Sequence, residues 1–142
     1  MDVFGCDFER DYFPFNSEFD WIFSKSTLEH VQNTEHILNE VRRVLNYGGR
    51  VIFMVPDWNS QWKIFYDDPT HVKPFSKKGL EKAFKLAGFE DVKCEYFFQL
   101  PFLWDRPYLK WIPYIVSLLP HTTRCKLIRF SKEKMLLLTA QK

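Results

Sequence analysis

Two histidines, and the acids beside them, are the side chains best suited to chemistry in this 142-residue chain. Glu29 and His30 lie in the segment "KSTLEHV", residues 25–31, directly after an apolar run. An imidazole titrates near neutrality, so His30 can take a proton from a hydroxyl or amine about to act as a nucleophile. The plainer reading makes Glu29 and His30 a polar pair opening a helix. His71 falls in a long aromatic segment, residues 57–75, together with Asp67 and Asp68. Carboxylates and imidazoles are common metal ligands, but this spacing matches no defined metal motif, and no metal is expected. Long loops in compact domains are usually functional, and Pro69 and Pro74 stiffen this one as a lid requires. His71, Asp57 and Trp58 therefore read as ligand-facing, with loop packing as the alternative. Trp58, Trp62, Phe65 and Tyr66 either line a pocket or pack against a neighbouring helix. His36 reads as a solvated residue on the polar side of a helix.

The elements that must position these groups are legible. Residues 19–23, "FDWIF", form an apolar run of the kind found in a strand covered on both faces. Ile37, Leu38, Val41, Val44 and Leu45 fall at helical spacing, with charges on the other side. Asn33 or Thr34 can cap the start of that helix. Arg42 and Arg43 suit its negative end, and Gly48 or Gly49 offers a left-handed residue to close it. Residues 50–55 are a second apolar, β-branched run. Strand, helix and strand this close together predict a crossover between parallel neighbours, which puts the "KSTLEHV" loop at the carboxyl end of its strand, where open α/β sheets bind ligands. Ser76 caps a further helix through Leu80, Ala83, Phe84 and Ala87, ended by Gly88. Strands follow at 92–98 and 134–140, and residues 3–6 read as a short strand before Asp7.

Composition bounds the class. A chain of this length makes one domain, able to bury ~68% of its unfolded surface. Hydrophobic residues at 46% and charged residues at 27% suit a globular fold. The net charge of +2 divides into +6 over residues 101–142 (eight Lys and Arg, two Asp and Glu) and −4 over the rest. This modest positive charge shows no basic stripe, so nucleic acid is not an expected partner. Cys6, Cys94 and Cys125 form no metal or redox pattern and suit free thiols in a reducing, cytoplasmic setting. No leader peptide is expected, and no apolar run reaches the ~20 residues of a membrane span. Residues 99–133 interleave aromatics with Pro107, Pro113 and Pro120, predicting a flap of one or two short helices. Its cations and rings within 101–130 suit a membrane surface, against a flap packed on the sheet or a dimer contact.

Three segments together carry a family resemblance: "FDWIFSKSTLEHV", "EVRRVLNYGGRVIFMVP" and "DDPTHVKPFSKKGLEKAFKLAGFEDV". In this order and spacing they resemble the C-terminal two-thirds of a class I S-adenosylmethionine-dependent methyltransferase, nearest the small-molecule and glycan-modifying branch. The resemblance covers residues 3–98 well and the remainder loosely. It implies an α/β, Rossmann-like sheet lacking its first two strands, with the aromatic flap before the last strand. It also implies S-adenosyl-L-methionine as cofactor. Asp7 would face the adenine amino group with Phe8 beside the ring, and Ser24 and Lys25 would lie along the cofactor. Glu29 and His30 would face the methyl-transfer cleft, with His30 or His71 as base. The acceptor would be an O- or N-nucleophile on a small molecule, lipid or glycan.

One departure from the family pattern matters. The family binds the methionine and ribose parts of the cofactor with a Gly-rich loop after its first strand and an acid at the end of its second, because only glycine lets backbone approach so closely and a carboxylate can hold two sugar hydroxyls. The five glycines here (Gly5, Gly48, Gly49, Gly79 and Gly88) frame no Gly-x-Gly. Without the first two strands the 19–23 strand is expected to be an exposed edge, covered by the 3–6 strand or by a second chain (a protein partner or another copy), or else leaving the isolated chain only marginally soluble. The alternative function is accordingly a non-catalytic interaction module that binds another protein through this edge and the flap.

Overall fold

The computed structural model describes residues 3–99, 106–109, 111–116 and 134–142. Its centre is one four-stranded sheet, built from β1 (Phe19–Lys25), β2 (Leu45–Pro56), β3 (Glu90–Phe98) and β4 (Lys134–Gln141), in the order β1-β2-β4-β3. β1 runs parallel to β2, while β4 is antiparallel to both its neighbours. The parallel pair is joined by α1 (Thr34–Val44), as the period of its apolar residues predicts. α2 (Trp58–Gln61) and α3 (Lys77–Leu86) follow β2, and the short α4 (Ile112–Val116) precedes β4. This is the Rossmann-like arrangement without its first two strands.

One face of the sheet carries the core. Val51, Phe53 and Val55 of β2 and Leu136, Leu138 and Ala140 of β4 are buried in one cluster with Ile37, Leu38 and Val41 of α1 and Leu80 and Phe84 of α3. At roughly 25 cal/mol per Å² of apolar area, each such side chain contributes about 1.5–3 kcal/mol. The opposite face is different. The register aligns Phe23 with Ile52, and Ile52 with Thr139, and this row stays partly or wholly open to solvent. Trp21 and Phe23 are 60% and 63% exposed. β1 is thus covered on one face only, not on both as its apolar run suggests.

Helix ends follow local chemistry. The Asn33 side chain accepts from the His36 N–H at the start of α1, and the Glu9 carboxylate accepts from the Gln32 and Asn33 N–H groups. Ser76 Oγ accepts from the Gly79 N–H at the start of α3. α3 ends on Gly88 at φ +84°, with Gly88 N–H to the Lys85 carbonyl and Phe89 N–H to the Phe84 carbonyl, a complete Schellman pair. α1 does not end as expected. Its cap, Leu45, is extended, and the left-handed residue, Gly48 at φ +79°, comes only after β2 has begun. The reason is that four residues loop out between the Phe19–Leu45 and Trp21–Arg50 pairings, and Gly48 turns this excursion.

The expected strand at 3–6 is absent. Residues 3–18 form no regular element; their backbone is tied instead to α1. Glu40, buried in α1, accepts from the Phe13 N–H at 2.8 Å and pairs with Arg43 at 2.8 Å. Arg43 in turn donates to the carbonyls of Phe13 and Phe15. The edge of β1 is therefore not closed by a slid strand. Most of the predicted flap, and most of the 101–130 segment read as membrane-facing, lies outside the described residues; Pro107–Leu109 and α4 are short helical pieces within it.

Candidate active site

The carboxyl ends of β1 and β2 are where the predicted chemical groups gather. Beyond β1, Ser26 adopts φ +54°, an uncommon conformation for a residue with a side chain, and turns the chain into the 3-10 turn Leu28–His30. The Ser26 N–H bonds the Met54 carbonyl, which fixes this turn against β2. The loop after β2 folds back onto it: Val72 and Lys73 both donate N–H bonds to the Glu29 carbonyl, at 2.8 and 3.0 Å. Two segments forty residues apart in sequence thereby present Glu29, His30 and His71 together.

Their geometry is defined by second partners. The His30 and His71 rings stand 4.7 Å apart between centroids. His71 Nδ1 lies 2.6 Å from the Phe65 carbonyl, which can only accept, so Nδ1 carries the proton. His30 Nδ1 lies 2.8 Å from Thr70 Oγ1, whose own hydrogen goes to Asp68 Oδ1 at 2.6 Å. Thr70 Oγ1 therefore accepts from His30 Nδ1. In its neutral form each ring is then left with its free lone pair on Nε2. Glu29 is 1% exposed, and its Oε2 has no hydrogen-bond partner. Burial pushes its carboxyl above the usual range, opposed by its backbone hydrogen bond and the two imidazoles. Asp68 is held below that range by the Thr70 hydroxyl.

The remaining predicted residues fall into two groups. Phe8, Ser24 and Lys25 line one cavity of about 280 Å³ at the end of β1, with Phe13, Ile22 and Leu28. Asp7 is not on that lining: its carboxylate accepts from the Glu9 N–H and its carbonyl from Arg10 and Asp11, so it closes a local turn. Asp57 is 2% exposed and caps α2 by accepting from the Ser60 N–H; its Oδ1 has no partner. Trp58 packs edge-on against Phe65 and Tyr66, and Phe65 stacks 4.5 Å from His71. Trp62 and Tyr66 are exposed. His36 is not free in solvent, since its Nε2 lies 3.0 Å from the Asp11 carbonyl. Sequence reasoning missed Thr70, which orients His30, and the Glu40–Arg43 pair. A hydroxyl next to a histidine carries no signal in a single sequence; only the fold brings it there.

Among the described residues no helix is long and apolar enough to cross a membrane. No curated protein sequence matches the chain. Solved structures do. A methyltransferase of Archaeoglobus fulgidus described as S-adenosylmethionine-dependent aligns with a TM-score of 0.60 at 20% identity, over 89% of this chain and 61% of its own. An S-adenosylmethionine-dependent methyltransferase of Mesorhizobium loti gives 0.66 at 14% identity, over 96% and 68%. Phosphoethanolamine N-methyltransferase 2 of Haemonchus contortus, in complex with S-adenosyl-L-methionine, gives 0.60 at 16%, over 92% of this chain and 35% of its own. At these identities the alignments speak for the fold, and the chain spans less than two thirds of the Archaeoglobus and Haemonchus proteins. A family model described as "Methyltransferase domain" matches residues 2–94, which hold β1, α1, β2, the Glu29–His30–His71 cluster and α3. With the family model and the fold of these solved structures in agreement, this chain belongs to the class I S-adenosylmethionine-dependent methyltransferase family.

Proposed function

We propose that the chain contributes the acceptor-side half of a methyltransferase site, which transfers a methyl group from S-adenosylmethionine to an O- or N-nucleophile of a small molecule, lipid or glycan. The observation that carries this reading is the convergence of His30 and His71 at the carboxyl ends of the parallel strands, within the family-matched segment. Bound there, the cofactor supplies an electrophilic methyl group on a sulfonium. The protein's part is alignment and proton removal: an Nε2 lone pair on His30 or His71 accepts the proton of the attacking hydroxyl or amine. The Thr70 hydroxyl and the Phe65 carbonyl keep those lone pairs available by holding the Nδ1 protons. Trp58 and Phe65 supply an apolar wall beside them.

The residues present fit only part of the cofactor. Phe8 and the apolar side chains around it suit a flat ring, and Ser24 and Lys25 offer polar groups at the rim. The cavity they line, at about 280 Å³, falls just below the usual ~300–1,000 Å³ of small-molecule sites. Nothing in these 142 residues offers the Gly-x-Gly backbone that would cradle the methionine end. The open apolar edge of β1 favours a second reading: a methyltransferase-like module that binds a protein partner.

Calorimetry of S-adenosylmethionine against the chain separates the two. With ligand up to about 1 mM, binding free energies near −4 kcal/mol are detectable. One-to-one binding supports the enzyme reading, and methyl transfer to candidate acceptors should then fall at least ~100-fold in a His30→Ala, His71→Ala double variant. A folded chain that binds no cofactor overturns independent catalysis and leaves the module reading.

A further inference from the structure

The cluster of Glu29, His30 and His71 has the composition of a metal centre as well as of a proton relay. One ligand-capable atom from each of the three lies within 4.8 Å of the other two. We propose that these residues bind a single borderline divalent cation of the zinc class, with Glu29 as the anionic ligand and the two imidazoles as nitrogen ligands.

Three independent features of the site support this. First, Glu29 Oε2 is buried without a partner, in a residue only 1% exposed. A desolvated carboxylate oxygen with nothing to bond is costly, and a cation removes that cost. Second, both imidazoles are prepared in the ligating tautomer. Metal-bound histidines almost always donate their other N–H to a carbonyl, carboxylate or similar acceptor. His71 Nδ1 does so to the Phe65 carbonyl, and His30 Nδ1 to Thr70, which is itself anchored on Asp68. In the neutral rings this leaves both Nε2 lone pairs free to ligate. Third, the scaffold is fastened around the site: the Glu29 carbonyl takes N–H bonds from Val72 and Lys73, so the turn and the loop that carry the ligands cannot drift apart independently.

The ligand set decides the class of ion. Two nitrogens and one carboxylate suit zinc and its first-row neighbours better than calcium or magnesium, which prefer all-oxygen shells. Three protein ligands leave a fourth position open, the mark of a reactive rather than a closed structural site. Bonds of about 2.0–2.2 Å place tetrahedral ligands roughly 3.4 Å apart, so binding must draw these atoms inward by small side-chain rotations. His71 Nε2 is already 3.9 Å from Asp68 Oδ2, and that carboxylate adds negative charge at the rim. The ion would acidify a bound hydroxyl directly, in place of a histidine base. The inference depends on the cluster alone and not on methyl transfer.

Cobalt is the probe of choice, because a low-symmetry four-coordinate site gives visible absorption bands that hydrated cobalt lacks. The metal-free 142-residue chain is titrated with Co²⁺ and then with Zn²⁺. One equivalent of Co²⁺ should produce the bands, Zn²⁺ should abolish them, and the melting temperature should rise with either ion. Glu29→Gln, nearly isosteric, and His71→Ala should each weaken binding by at least ~100-fold, beyond the 10–100-fold that loss of an outer-shell partner costs. His36→Ala, outside the cluster, should leave binding unchanged. No bands from a folded chain overturns the proposal. So does binding that survives both ligand substitutions, or that is lost with His36. A chain that binds one ion but no S-adenosylmethionine keeps this inference while removing the catalytic reading.

Discussion

At the scale of single residues, Glu40 has the most work to do outside the site. It is buried in α1, pairs with Arg43 and accepts the Phe13 N–H, so it holds residues 13–16 against the domain. The Arg43 hydrogen bond, with that from the Phe13 amide, outweighs burial and holds its carboxyl below the ordinary value of 4.5. A depressed carboxylate stabilises the fold above its unfolded pKa and loses that contribution as pH falls through the folded one. Melting temperature should therefore drop as pH falls below about 4.5, and Glu40→Gln should flatten that part of the profile. Thermal scans across pH 3–7 on both proteins check it. Cys94 makes an opposite case. Burial raises its thiol to about 11, and it is 4% exposed. It should resist alkylation at pH 8 in the folded chain and react fully in denaturant, as peptide mass mapping would record. Glu29→Gln belongs here as well. Removing a buried carboxylate whose Oε2 has no partner should raise metal-free stability at neutral pH in urea titrations, while its carboxylate functions are lost.

At the scale of elements, α3 illustrates how local signals and packing agree. Ser76 starts it, Leu80 and Phe84 bury completely, and the Gly88 Schellman pair ends it with Phe84 and Phe89 in ring contact at 5.3 Å. The sequence announces each of these through residue type and spacing. Gly88→Ala forces a side chain into φ +84° and should cost about 1–2 kcal/mol. Leu80→Ala leaves a cavity under the sheet and should cost about 2–5 kcal/mol, the larger loss in the same urea titration. If the two prove equal, the helix is held by its cap and not by its core face. The end of α1 was less legible. Leu45 belongs to both the apolar helical stripe and the following strand, and Gly48 turns a looped-out stretch of β2 that no local pattern distinguishes from a helix cap.

At the scale of the whole molecule, one face of the sheet carries the core, while among the described residues the other face is open along the Phe23–Ile52–Thr139 row and buried at Met54 and Met135. β1 ends the sheet, with Trp21 and Phe23 turned outward, and long apolar edges recruit other strands. We expect concentration-dependent self-association, detectable by sedimentation velocity, that Phe23→Lys reduces without lowering the melting temperature. Unchanged association in that variant would move the contact elsewhere.

What the sequence determined by itself was the periodic part of the protein. The four strands, α1 and α3 follow from the spacing of apolar residues and from capping side chains, because these depend on neighbours three or four positions away. The sequence also marked Glu29, His30 and His71 as chemical candidates by residue type, and Phe8, Ser24 and Lys25 by family resemblance. The tertiary structure alone decided which of them meet. Thr70 reaches His30 only because the loop after β2 folds onto the turn after β1; Asp7 closes a local turn because residues 3–18 bond to α1 and never form a strand. The unpartnered state of Glu29 Oε2 is likewise a property of packing. Contacts between residues thirty or forty positions apart are set by how layers stack, and a single chain of letters carries no local pattern for them.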